Sequence, residues 1–178
     1  MDNYSLDEIT RLLQTARNQS HRDWLMLVVQ YNHGLRAGEV CGPHGFTKGD
    51  VQEGQIINRR LKGSLTTVQA LRTHDNPLFD ERAALEEWVR RLPDRRDRAF
   101  PISTIQFWRR FDRYRKQAGI RRLLETRNVL KHSIACHSIE KAGIHNVKQF
   151  LGHVSMGSTG QYLRKKDAEA VAAVYGAL

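Results

Sequence analysis

Leu151-Gly152-His153-Val154-Ser155-Met156-Gly157-Ser158-Thr159-Gly160-Gln161-Tyr162 places a tyrosine nine residues after a Leu-Gly-His turn. The turn closes a short apolar helical stretch from Asn146 to Leu151, and glycine is the residue that most readily ends a helix. Far upstream, Gly34-Leu35-Arg36-Ala37-Gly38-Glu39-Val40 sets an arginine just past another apolar stretch, again at a glycine turn. Two turns of this kind, more than a hundred residues apart, each present a side chain capable of phosphate chemistry.

The charge balance gives that reading a direction. Lysine and arginine outnumber aspartate and glutamate by 29 to 19, a formal charge of +10. Such an excess favours a polyanion, because lysine and arginine release the counterions condensed on nucleic acid. Anionic membranes attract basic proteins as well, but the chain has no long basic amphipathic helix and no lipidation signal. No apolar run approaches the roughly 20 residues of a membrane-spanning helix. Met1-Asp2-Asn3-Tyr4 lacks the basic flank and apolar core of a secretory signal, so a cytoplasmic, nucleoid-associated protein is expected. Cys41 and Cys136 fit no metal-ligand spacing and are too few for a disulfide framework. Buried or inert thiols are the simpler reading.

Length and patterning predict one domain that is mostly α with a small antiparallel β-sheet. At 178 residues the chain can bury one proper core. Ser5-Leu6-Asp7-Glu8 has the order of a capping box. Leu6, Ile9, Leu12, Leu13 and Ala16 follow at helical spacing, giving that helix one buried face. Trp24 to Tyr31 reads as a largely buried helix ending near His33-Gly34, and Leu35 to Val40 as a short helix restarting from the turn. Val51, Gln55 to Asn58 and Thr66 to Leu71 have the β-branched, partly alternating character of short strands. Arg59-Arg60-Leu61-Lys62-Gly63-Ser64 between the last two is a basic turn with Lys62 near its tip. Asp80 to Val89 returns to helical spacing and ends before Pro93. Ser103 or Thr104 can cap a helix reaching Lys116, whose Phe107, Trp108, Phe111 and Tyr114 form an apolar stripe. Its Arg109 and Arg110 face either a DNA backbone or solvent. Val129 to Lys141, Asn146 to Leu151 and Asp167 to Tyr175 complete the expected helices. His132 and His137 have no carboxylate or cysteine at metal spacing, so no metal is expected, and no Gly-rich nucleotide loop is present.

The Leu-Gly-His turn with Tyr162 and the Gly-Leu-Arg element with Glu39 resemble the catalytic domain of the tyrosine recombinases, the phage-integrase family. The resemblance runs from about Leu6 to about Arg164. It implies a DNA strand-transferase needing no cofactor: a tyrosine attacks a DNA phosphodiester, forms a 3′-phosphotyrosyl link and releases a 5′-hydroxyl that later reverses the reaction on another strand. By residue, it implies Tyr162 as nucleophile, Arg36 as a two-pronged phosphate ligand, Lys62 as donor to the leaving oxygen and His153 as phosphate buttress. Arg59, Arg60, Arg109, Arg110, Arg121, Arg122, Arg127 and His132 are the expected DNA-binding set. The implied partners are double-stranded DNA and further copies of the chain in a synaptic tetramer. The segment after Tyr162, especially residues 168–178, is expected as a helix docking on a neighbouring subunit or packing on its own domain.

Two features depart from the family pattern. The family usually reads His-x-x-Arg-His where this chain reads Asn128-Val129-Leu130-Lys131-His132, so Asn128 and Lys131 occupy the remaining catalytic positions. Lysine keeps the charge but loses the planar bidentate grip, and asparagine donates a hydrogen bond but does not titrate near neutral pH. The chain also opens at the first catalytic-domain helix, so the expectation is a single catalytic domain over residues 1–178 without an N-terminal core-binding domain, as in the short fimbrial-switch recombinases or in a fragment of a longer protein. A site-specific recombinase or integrase of mobile DNA is the leading expectation. The alternatives are a catalytically weakened DNA-binding regulator and a relaxing enzyme of the type IB topoisomerase kind.

Overall fold

The computed structural model describes residues 3–121 and 128–160. The order is α1 (Leu6–Gln19), α2 (His21–Asn32), α3 (Ala37–Val40), a 3₁₀ turn at Lys48–Asp50, β1 (Val51–Gln52), β2 (Gln55–Asn58), β3 (Thr67–Ala70), α4 (Arg82–Arg90), α5 (Thr104–Gln117), α6 (Val129–Ala142), α7 (Ile144–Leu151) and α8 (Gly157–Gly160). The α+β expectation holds. The expected helix over Asp167 to Tyr175 lies outside the described residues.

Local signals account for most boundaries. Ser5 Oγ accepts from the Glu8 N–H while Glu8 Oε2 accepts from the Ser5 N–H, closing the capping box at α1. Ser20 ends α1 through its N–H to the Ala16 carbonyl and starts α2 by accepting from the Asp23 N–H. Ser103 and Gln106 repeat the reciprocal cap at α5. Leu6 corrects the reading of the α1 face: at the first helical position it is 56% exposed, whereas Ile9, Leu12, Leu13 and Ala16 are buried.

The core is organised around α2, which is buried on every side from Asp23 to Asn32. A helix buried all round belongs at the centre of a domain; α1 and α6 pack against it, and α5 packs on α1 and α3. Two of the polar side chains of α2 are tied to backbone carbonyls: Trp24 Nε1 donates to the Leu78 carbonyl at 3.0 Å and Asn32 Nδ2 to the Phe79 carbonyl at 2.9 Å. Buried Asp23 accepts from Tyr114 Oη at 2.8 Å, Arg110 Nη1 at 3.0 Å and Arg22 Nη2 at 2.8 Å. Burial alone pushes this carboxyl up, but Tyr114, Arg22 and Arg110 together hold it below the ordinary aspartate value. Cys41 is buried, and burial pushes its thiol up to about 12, as expected of an inert cysteine.

The three strands form one antiparallel sheet in the order β1-β2-β3, with Ile56 opposite Gln69 and Asn58 opposite Thr67. The β2–β3 connection projects the basic turn, where Lys62 (φ 59°) and Gly63 (φ 69°) take left-handed conformations. Helix α7 packs against both α6 and β3. The end of α2, the basic turn and the end of α7 therefore converge.

Candidate active site

Helix α2 stops at His33, and Gly34 (φ 57°) swings the chain so that Arg36 precedes α3. Glu39, one turn into α3, is 3% exposed and fixes that arginine. Glu39 Oε2 accepts from the Arg36 backbone N–H at 2.8 Å, and Oε1 accepts from Arg36 Nη1 and from the Leu61 N–H, each at 2.8 Å. Arg36 Nη1 also donates to the Leu61 carbonyl at 3.0 Å, and Nη2 to Ser64 Oγ at 3.4 Å. One carboxylate thus sets both Arg36 and the root of the Lys62 turn. Burial pushes the Glu39 carboxyl up, but the Arg36 and Leu61 backbone N–H groups and the charges of Lys131 and Arg60 hold it below its ordinary value.

At the other end, Gly152 (φ 68°) terminates α7 and lets its backbone lie against the Lys62 loop. A Cβ at Gly152 would fall 2.3 Å from the Leu65 carbonyl oxygen, so no other residue fits without displacement. His153 follows, 8% exposed, with Nδ1 at 2.9 Å from Thr159 Oγ1 on α8. Lys131, on the first turn of α6, is 2% exposed and directs Nζ at the Leu151 carbonyl, 3.4 Å away.

These segments enclose a cavity of about 330 Å³ lined by Arg36, Lys62, Asn128, Lys131, His132 and His153, with Ser64, Ser155 and Ser158 on its rim. Five of the six residues expected to carry the chemistry meet there, drawn from positions 36 to 153. Tyr162, the sixth, lies outside the described residues, as do Arg122 and Arg127 of the expected DNA-binding set.

The electrostatics suit an anion. Burial lowers the Lys131 ammonium to about 7, with the Arg60 and Arg36 charges adding to the shift and Glu39 opposing it. His153 is lowered to about 4, by burial first and then by Lys131, Arg36 and Arg60. His132 is likewise lowered to about 4, by burial and by Lys131 and Arg36. Both rings are therefore neutral near pH 7 and donate an N–H without adding charge. Among the described residues no histidine, cysteine, aspartate and glutamate cluster is arranged to hold a metal.

The wider basic set is less uniform than expected. Arg60 is a correction: its side chain is buried rather than facing outward. Arg60 Nη1 donates to the Gly34 carbonyl at 2.8 Å, and Nη2 to the His33 and Phe150 carbonyls at 2.9 Å each. It ties the ends of α2 and α7 together behind the cavity. Arg110 is also committed inward, to Asp23, and is one-third exposed. Arg59 (75% side-chain exposure, paired with Asp50), Arg109 and Arg121 are exposed but do not line the cavity. The sequence reading passed over Ser64, which supports Arg36, and Thr159, which supports His153. Their only signal was a hydroxyl two residues after Lys62 and another on the short stretch before Tyr162.

The phage integrase family profile matches residues 3–169. The chain is 32% identical over 168 residues to tyrosine recombinase XerA of Thermococcus kodakarensis, across 89% of this chain and 56% of that protein. It is 31% identical over 152 residues to type 1 fimbriae regulatory protein FimE of Escherichia coli, across 79% of this chain and 73% of that protein. A crystal structure of XerA recombinase superimposes with a TM-score of 0.75 at 25% identity, covering 99% of this chain and 63% of that one. The chain thus spans little more than half the length of the archaeal relative, and its fold is that of a tyrosine-recombinase catalytic domain. The family profile runs through nearly all of the sequence, and five of the six positions expected to be catalytic share one cavity; by that profile the chain belongs to the phage integrase family.

Proposed function

We propose that this chain cleaves and rejoins double-stranded DNA as a site-specific recombinase, with Tyr162 as nucleophile. The observation that carries the proposal is the single cavity shared by Arg36, Lys62, Asn128, Lys131, His132 and His153. The Tyr162 phenolic oxygen forms a bond to the scissile phosphorus as the bond to the 5′ oxygen breaks, and the phenol gives its proton to solvent water. Arg36 and Lys131 hold the non-bridging oxygens while Asn128 and the neutral His153 ring donate hydrogen bonds to them. Lys62 protonates the departing 5′ oxygen. The reverse attack by a 5′-hydroxyl restores the phenol and rejoins the strand. Duplex DNA and further copies of the chain, assembled as a synaptic tetramer with a C-terminal helix at the contact, are the partners this reading implies.

A second reading, a recombinase-fold DNA-binding regulator with weakened catalysis, is favoured by one observation. Lys131 stands where the family has arginine, and it points at a backbone carbonyl as a single point charge. Loss of one preorganised donor slows such chemistry by about 10²–10³. A pool of nicked duplexes separates the readings on a denaturing gel. A covalent adduct lost in Tyr162→Phe supports cleavage; on a supercoiled plasmid, recombinant product rather than bare relaxation identifies a recombinase. Salt-sensitive binding without adduct, with adduct appearing in Asn128→His/Lys131→Arg, supports the regulator.

A further inference from the structure

Behind the cavity runs a buried line of polar contacts that the phosphate chemistry does not use. Glu81 Oε1 lies 2.5 Å from His33 Nε2, and the two side chains are 0% and 2% exposed. His33 Nδ1 lies 2.7 Å from Gln69 Oε1, and Gln69 Nε2 donates to the Phe150 carbonyl at 2.8 Å. The line joins the residue before α4 to the end of α2, crosses strand β3 and reaches the end of α7, three residues before His153.

The direction of each bond follows from its acceptors. The Phe150 carbonyl only accepts, so the Gln69 amide must turn its nitrogen toward it and its oxygen toward His33. His33 therefore carries a proton on Nδ1. Glu81 Oε1 also accepts from the Arg72 backbone N–H at 3.1 Å, so the remaining proton of the pair lies between that oxygen and His33 Nε2. Each side chain in the line thus has one workable orientation.

The line does not stand alone. Arg60 Nη2 donates to the same Phe150 carbonyl and to the His33 carbonyl. A Cβ at Gly34 would lie 2.6 Å from Leu151 Cδ2, so the Arg36 turn and the end of α7 are in direct contact.

We propose that Glu81, His33 and Gln69 are positioning residues whose hydrogen bonds fix where the turn from Phe150 to His153 presents the His153 ring to the cavity. The proposal rests on the reading of that cavity as a phosphate site. These residues touch no substrate, and they act through the Phe150 carbonyl. The carbonyl is held from two sides, by Arg60 from the Glu39 side and by Gln69 from the sheet.

The test uses full-length protein labelled with ¹⁵N-histidine and no DNA, with ring signals assigned by single histidine substitutions. Wild-type His33 should show a proton on Nδ1. In Gln69→Leu, both the His33 and His153 ring signals should move while helix content and cooperative unfolding are retained. Inorganic phosphate, followed at His153, should bind roughly fivefold more weakly, the effect of about one hydrogen bond. Glu81→Gln, which keeps the side-chain shape, serves if Gln69→Leu does not fold, and it too should displace His153. Displacement of His33 with His153 and phosphate affinity unchanged in both variants overturns the proposal. Displaced His153 signals in a protein that never forms a Tyr162 adduct support the relay while rejecting the cleavage reading.

Discussion

The backbone N–H of Leu65 donates to the carbonyl of Gly152 at 2.8 Å, fastening the loop that carries Lys62 to the turn that carries His153. Two residues proposed to act on different oxygens of one phosphate, the leaving 5′ oxygen and a non-bridging one, are thereby joined by a backbone bond. The approach depends on Gly152, whose left-handed φ and lack of a Cβ let the strands of chain meet.

Gly152→Ala should therefore destabilise the protein by about 2–4 kcal/mol, combining left-handed backbone strain with a displaced Leu65 carbonyl. Thermal unfolding checks the magnitude. The same variant should lose phosphate-pocket function even at temperatures where it stays folded. A Gly152→Ala protein with unchanged midpoint would mean that the two loops do not approach this closely.

Arg59 and Arg60 are neighbours with opposite fates. Arg60→Ala removes the partner of three carbonyls and of Glu39 inside the protein, and should cost about 3–5 kcal/mol. Arg59→Ala removes an exposed side chain together with the partner of the buried Asp50 Oδ1, and should cost about 1–2 kcal/mol, less than Arg60→Ala. If Arg59 touches a DNA phosphate, its loss should also reduce the slope of log affinity against log salt by about 1. Denaturant unfolding and salt-titrated DNA binding separate the two.

Strand alternation explains why only part of this was legible in the sequence. Ile56, Asn58 and Arg60 are buried while Gln55 and Arg59 are exposed, so the period of two runs on past the end of β2. Read to its end, that pattern would have sent Arg60 inward; a cluster of arginines at a turn looks like a surface. Capping boxes at Ser5 and Ser103, the glycine stops at Gly34 and Gly152 and the apolar run of α2 were local signals and could be read directly. The inward pairing of Arg110 with Asp23 and the Glu81–His33–Gln69 line join residues 36 to 87 positions apart, and no local spacing encodes them.

Lys131 gives the site a pH dependence with a definite sign. In the free protein its ammonium titrates at about 7. A bound phosphate favours the charged form and raises that value, so binding takes up a proton at pH above about 7. DNA affinity should be flat below that pH and fall as pH rises through it, and Lys131→Arg should flatten the fall because arginine stays protonated. Stability follows the same linkage: the folded value lies below the unfolded one of 10.5, so the free protein gains stability as pH rises from about 7. Affinity measured from pH 6 to 9 in both proteins decides the point.

Lys62 is exposed on the basic turn with φ 59°, and its proposed role is at the leaving group rather than in phosphate binding. Lys62→Ala should slow adduct formation on ordinary DNA by about 10²–10⁴. On DNA with a 5′-bridging sulfur the loss should be much smaller, because a thiolate leaves without a proton. Equal losses on both substrates would assign Lys62 to phosphate binding instead.

The central claim is that a DNA phosphate enters the cavity of Arg36, Lys131 and His153 and is captured by Tyr162. The most direct measurement is mass spectrometry of the peptide that remains joined to DNA after incubation with nicked duplexes of randomised sequence and proteolysis. The account predicts a 3′-phosphate carried on Tyr162 and absent in Tyr162→Phe. A phosphate carried by another residue, or no adduct even in Asn128→His/Lys131→Arg, would contradict it.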